Sequence, residues 1–176
     1  KAITIQPNFV LAHANLGIVF RELGEHEKAI SCYEKAIQIE PDNLTSHWLS
    51  MNTFPVIYEN LKEIDLYRIR FEDSIKKVNR LLDTQPQYTK QQIIDAMKSS
   101  TNFGLAYQGR NYINLQQKYA NLIERLTEKI YPQFHQDRKI NKSIEFIKIG
   151  FVSAFFKNHS IAKTHQNWIL KIDKKI

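Results

Sequence analysis

Apolar positions recur at steps of three and four through most of the chain, and the period changes only near its end. Leu61, Ile64, Leu66, Ile69, Phe71, Ile75, Val78 and Leu82 make one stripe, which predicts a long amphipathic helix to about Asp83. Asn60–Leu61–Lys62–Glu63 has capping-box spacing at its start, and Pro86 breaks it. Thr89–Lys90–Gln91–Gln92 offers a second capping box, for a shorter helix through Met97. Tyr112, Leu115, Tyr119, Leu122, Ile123, Leu126 and Ile130 form the next stripe, closed by Pro132 and read as core. Between these helices, residues 99–109 are turn-rich with aromatics of buried character, and read as a packed loop. Residues 133–145 are polar and suit a linker. From Phe146 to Ser153 a β-branched apolar run predicts a strand. A short polar loop with Asn158 and His159 follows, and an amphipathic helix begins at Ile161 and continues through Leu170. Strand, loop and helix in that order open an α/β nucleotide-type domain.

The first forty residues carry a longer period. Lys1–Ala2–Ile3–Thr4–Ile5–Gln6–Pro7 returns as Lys35–Ala36–Ile37–Gln38–Ile39–Glu40–Pro41, offset by 34 residues throughout. That is the tetratricopeptide period. Leu16–Gly17, Phe20, Gly24, Ala29, Tyr33, Ala36 and Pro41 stand where its motif wants large, small and helix-ending residues, with His13 in place of the preferred Trp. Gly17 and Ala29 are small because two helices cross there, Phe20 and Tyr33 fill the space between helices, and Gly24 permits the turn. Helix A is expected from about Asn8 to Leu23 and helix B from about His26 to Ile39. One repeat and the tail of another cannot bury their faces alone, so the chain is expected to open at the C-terminal end of a longer solenoid. After Pro41 the pattern fades. Asn43 or Thr45 can cap a helix through His47, Trp48 and Met51, ending before Pro55.

Charge sharpens this division. The formal net charge is +7, with 4 basic and 6 acidic side chains in residues 1–50, 13 and 10 in 51–138, and 8 and 2 in 139–176. A basic end could meet a phosphate-bearing ligand or nucleic acid, but no RNA-binding signature or aromatic platform accompanies it, and a solvated lysine-rich face is the simpler reading. Cys32 is the only cysteine, which excludes an intrachain disulfide and fits a reducing, cytoplasmic setting. On helix B it reads as a small packed residue rather than a reactive thiol. The longest apolar run, Ile149–Phe156, is too short to cross a bilayer. No signal peptide pattern and no initiating Met are present, so the chain is expected to be an internal fragment.

The chemistry-bearing candidates cluster after the expected strand. His159 lies just past its carboxyl end, where open α/β sheets collect ligands, and an imidazole there can shuttle a proton or hydrogen-bond a sugar or phosphate. The N-terminus of the next helix would favour an anionic group, and a loop His that merely caps that helix is the alternative. His165 is six residues on, which is not a metal-pair spacing. Ser153 lacks an acidic partner or nucleophile-elbow glycines.

The order of parts resembles the O-linked N-acetylglucosamine transferase/SPINDLY family, particularly its bacterial members. The residues that carry the resemblance are Trp48–Tyr58, Tyr67–Phe71, Tyr107–Asn111 and Ile147–Ser153 with Asn158–His159, after the tetratricopeptide tail. The resemblance implies transfer of a sugar, usually N-acetylglucosamine from UDP-GlcNAc, to protein Ser or Thr hydroxyls; SPINDLY-type members use GDP-fucose. It also implies a metal-free GT-B catalytic part of two Rossmann-like lobes. His159 matches the family's active-site histidine of the first-strand loop, with Asn158 beside it as the candidate substrate-binding residue. The nucleotide-sugar lobe would lie beyond Ile176.

The expected architecture is therefore mainly α. Residues 1–43 end a tetratricopeptide solenoid, residues 44–138 form a helical connector, and residues 139–176 open the N-terminal GT-B lobe. The leading function is a fragment of a protein O-glycosyltransferase whose solenoid guides a polypeptide substrate, with no cofactor beyond the nucleotide sugar, no metal and no membrane. The alternative is a tetratricopeptide interaction scaffold without catalysis. Nucleic-acid binding through the basic end is a third reading, and it would weaken steeply with salt.

Overall fold

A computed structural model describes residues 1–84, 87–136, 162–163 and 170–171. The chain divides into two compact units, Lys1–Gln136 and Asp137–Ile176. In the second, Ala162, Lys163 and Leu170 are helical. The expected strand over 146–153 and the loop bearing Asn158 and His159 lie outside the described residues. The described part is mainly helical and, among the described residues, contains no strand.

The first unit opens with α1 (Ala2–Ile5), then α2 (Val10–Glu22) and α3 (His26–Ile39), the two helices of the 34-residue motif. The turn between them is built by Gly24, whose φ of 78° lies in the left-handed region. The Glu25 amide donates to the Phe20 carbonyl at 2.8 Å and the Gly24 amide to the Arg21 carbonyl at 3.0 Å, the paired bonds of a Schellman ending. Where α2 crosses α3, a Cβ on Gly17 would overlap the Tyr33 ring, which is fully buried. Ala29 and Ala36 are likewise fully buried, so small residues sit where the helices meet.

Beyond Pro41 come α4 (Leu44–Met51), α5 (Leu61–Thr84), α6 (Lys90–Ser99) and α7 (Ile113–Ile130), with short 3-10 turns at Phe103–Gln108 and Pro132–Phe134. The Asn43 side chain caps α4, accepting from the Ser46 amide at 2.9 Å. Thr89 and Gln92 close the expected box on α6 in both directions. At α5 the box is displaced by one residue: Asn60 accepts from the Glu63 amide at 3.0 Å, but Glu63 reaches back to the Glu59 amide at 2.6 Å rather than to Asn60.

The main core is organised on α4, which packs against α3, α5 and α6. Trp48 is fully buried at its centre. Its Nε1–H donates to the Ser100 carbonyl at 3.0 Å and its ring lies 5.6 Å from that of Tyr119. Phe71 stands 5.7 Å from Tyr119 and 5.4 Å from Phe54, so aromatic rings join α4, α5 and α7.

Two expectations need correction. On α5 the buried stripe is Ile64, Tyr67, Phe71, Ile75, Val78 and Leu82, whereas Leu61, Leu66 and Ile69 are exposed. Leu66 and Ile69 stand two residues from Ile64 and Phe71, a step that turns them onto another face of the cylinder, and Leu61 lies in the exposed first turn. In the 99–109 segment the aromatics are on the surface: Phe103 and Tyr107 pair edge to face at 5.2 Å and are both mostly exposed. Leu105 and Gln108 face inward instead, and Gln108 donates to the Tyr58 hydroxyl at 2.8 Å.

Candidate functional site

Helices α3 and α5 both pack on α4, and their facing surfaces bound an open groove. Three cavities of 680, 190 and 450 Å³ lie along it. The first two share Glu27, Leu66 and Tyr67; the second and third share Glu34 and Arg70. They form one trench from the α2–α3 turn to Gln38 and Lys77. From Glu27 to Gln38 the α3 wall runs about 16 Å at helical rise, the length of about five extended residues.

The α5 wall is a second stripe on that helix, beside the core stripe. Glu63, Leu66, Tyr67, Arg70, Ser74 and Lys77 follow one another at one to four residues and all line the groove. On α3, Glu27 and Glu34 are two turns apart on the same face. Leu66 and Ile57 supply apolar surface; they are 63% and 85% exposed, so neither is consumed by the fold. Glu27, Glu34, Glu59 and Glu63 have no cation within ion-pair distance among the described residues, while Glu25 pairs with Lys28 and Asp73 with Lys76.

Arg70 sits at the junction and is committed to the fold. Its guanidinium donates to the Ser50 carbonyl at 2.7 Å and to the Thr53 carbonyl, closing the C-terminal end of α4. It also lies 5.1 Å over the Tyr67 ring. Burial lowers its pKa from the ordinary guanidinium value, yet a guanidinium stays charged in a protein. His26 enters the groove at the start of α3. Burial and the Arg21 charge hold its pKa below the usual value against a smaller opposite pull from Glu63, so it is neutral at pH 7. His47 is held low by burial, with its bond to the Pro41 carbonyl acting in the opposite sense.

Of the residues singled out in the sequence for chemistry, Cys32 alone is among the described residues, and it does not line the groove. His159, Asn158, His165 and Ser153 lie outside the described residues. Cys32 is half-buried on α3, and burial pushes its thiol pKa up, which suits a packed side chain. Among the described residues no group of His, Cys, Asp or Glu is placed to hold a metal ion, and no helix is long and apolar enough to cross a membrane. The groove escapes a reading of the sequence because its walls come from separate helices, Glu27 facing Leu66 and Glu34 facing Arg70 across it. Its one local signal is the second, mixed stripe on α5, in which Leu66 looks like a core residue.

Residues 10–43 match the tetratricopeptide repeat model. No curated protein and no solved structure gives a significant match to the chain.

Proposed function

We propose that this chain is a polypeptide-binding module in which the groove between α3 and α5 receives a short extended segment of another protein. Repeats of this class generally mediate protein–protein interaction. The observation that carries the reading is the pairing of a peptide-sized trench with Leu66 and Ile57, apolar side chains left open to solvent on its wall. A peptide-display selection against the 176-residue chain tests it. Selected peptides should lose about tenfold or more in affinity for the Leu66→Asn variant. Leu66 is exposed, so this variant keeps the fold. A selection that enriches nothing, or peptides indifferent to Leu66→Asn, would count against the groove.

A second reading concerns catalysis and is favoured by the sequence of residues 146–160. On the resemblance of Ile147–Ser153 and Asn158–His159 to the O-linked N-acetylglucosamine transferase/SPINDLY family, the chain is part of a protein O-glycosyltransferase. A Ser or Thr hydroxyl of the acceptor attacks the anomeric carbon with inversion, its proton passes to a base, and the nucleoside diphosphate leaves. His159 lines the acceptor side of the cleft and Asn158 contacts substrate; the donor is UDP-GlcNAc. The helical unit then delivers the polypeptide. Incubating the full-length protein with UDP-GlcNAc and GDP-fucose in parallel tests this. Absence of transfer and of donor hydrolysis with both sugars would remove it, and undiminished transfer by a His159→Ala variant would remove the role of that residue.

A further inference from the structure

We infer that the groove selects a basic segment that carries an apolar side chain among its lysines or arginines. This deepens the polypeptide-binding reading and rests on it. The argument begins with charge. The chain as a whole is strongly positive, yet the trench is lined by six carboxylates against four cations. Two of those carboxylates, Glu25 and Asp73, already have a lysine partner. The other four, Glu27, Glu34, Glu59 and Glu63, have none among the described residues.

Their placement sets the spacing of a partner. Glu27 and Glu34 stand about 10 Å apart along α3, two helical turns. An extended segment covers that distance in about three residues, so long cationic side chains two to four positions apart can reach both. Leu66 lies on the opposite wall in both of the first two cavities, lining them together with Glu27, and Glu34 joins it in the second. A single apolar side chain among the cations covers it. An acidic or phosphorylated segment fits poorly, because the half-buried cation at the junction of the trench, Arg70, already donates through both terminal nitrogens to the Ser50 and Thr53 carbonyls, and the free carboxylates around it outnumber the remaining cations.

Fluorescence anisotropy with four labelled peptides on the 176-residue chain tests the inference. One peptide has lysines and arginines around a central leucine, the second replaces that leucine by glycine, the third replaces the cations by glutamate, and the fourth by glutamine. The first should bind, and the other three should bind about tenfold more weakly or worse. Raising salt from about 0.05 to about 0.3 M should weaken the first, since the carboxylates are at the surface. Glu27→Gln combined with Glu34→Gln should weaken it about tenfold; both side chains are exposed, and circular dichroism checks that the fold persists. If the glutamate or glutamine peptide binds as well as the basic one, and the charge-neutral Leu66→Asn abolishes that binding, the selectivity is overturned while polypeptide binding survives. If no peptide binds, or Leu66→Asn changes nothing, the polypeptide-binding reading falls with it.

Discussion

The Nε2–H of His47 donates to the carbonyl of Pro41 at 2.9 Å, repeating 34 residues on the 2.8 Å bond from His13 to Pro7. A carbonyl can only accept, so both rings carry their proton on Nε2. The repeat therefore does not stop at Pro41. Helix α4 takes the place of the next helix A, but Trp48 and Met51 stand where the preceding unit has Ala14 and Gly17, and Pro55 where it has Arg21. Small residues that let α3 approach α2 give way to large ones that seat α5, α6 and α7. The bond closes the entry to α4, and His47→Ala should cost about 1 kcal/mol in urea unfolding, as should His13→Ala at α2. No change in midpoint would show that the repeated bond is incidental.

Much of this was legible in the sequence because the signals are local. The hairpin Val10–Ile39, the Asn43 cap and the Thr89–Gln92 box each depend on residues within a turn or a fixed period. Leu61, Leu66, Ile69, Phe103 and Tyr107 misled, since spacing and hydrophobicity alone do not say which face a neighbour will cover. The continuation of the repeat into α4 was masked by its bulky substitutions. The groove depends on α4 spacing α3 from α5, which no short window of sequence records. The candidates His159 and Asn158 rest on the sequence of the last segment.

Gly17 is required by the ring it faces. Gly17→Ala would gain up to about 1 kcal/mol of helix propensity. The added methyl overlaps Tyr33, which is fully buried and has nowhere to move. Overpacking of this kind costs about 1–3 kcal/mol, so the net effect should be destabilising. Chemical denaturation of Gly17→Ala alone and with Tyr33→Leu decides the cause: the second change should recover part of the loss. Equal losses with and without it would place the strain elsewhere.

Trp48 ties three helices through one ring. Trp48→Phe keeps most of the apolar volume but leaves the Ser100 carbonyl without its 3.0 Å donor. That should cost about 1–3 kcal/mol, and Trp48→Ala about 3–5 kcal/mol through the cavity it opens. The emission of Trp48 should lie well to the blue of a solvated indole and move red at the unfolding midpoint.

Arg70 should matter to the fold before it matters to a ligand. Arg70→Met keeps an apolar stem beside Tyr67 but deprives the Ser50 and Thr53 carbonyls of their donors, at a cost of about 1–3 kcal/mol. Arg70→Lys cannot fork to both carbonyls and should recover only part of this. Full stability of Arg70→Met would show that water replaces the guanidinium at the end of α4.

The pH dependence of stability follows from His47. Burial lowers its pKa in the folded chain below the unfolded value near 6.5. Below that value the unfolded chain binds a proton that the folded chain resists, so the unfolded state holds more protons and stability rises with pH. The contribution is fully present above about pH 6.5 and is lost as pH falls from there toward the folded pKa. His26 is shifted in the same direction and acts in the same sense. Urea midpoints measured between about pH 7.5 and about pH 5.5 should therefore decline, and they should decline less steeply in His47→Gln, with His26→Gln removing a further part. The window stays above the ordinary carboxylate range, so acidic groups add little to the slope. An unchanged slope in the double variant would mean that neither imidazole is held neutral by the fold.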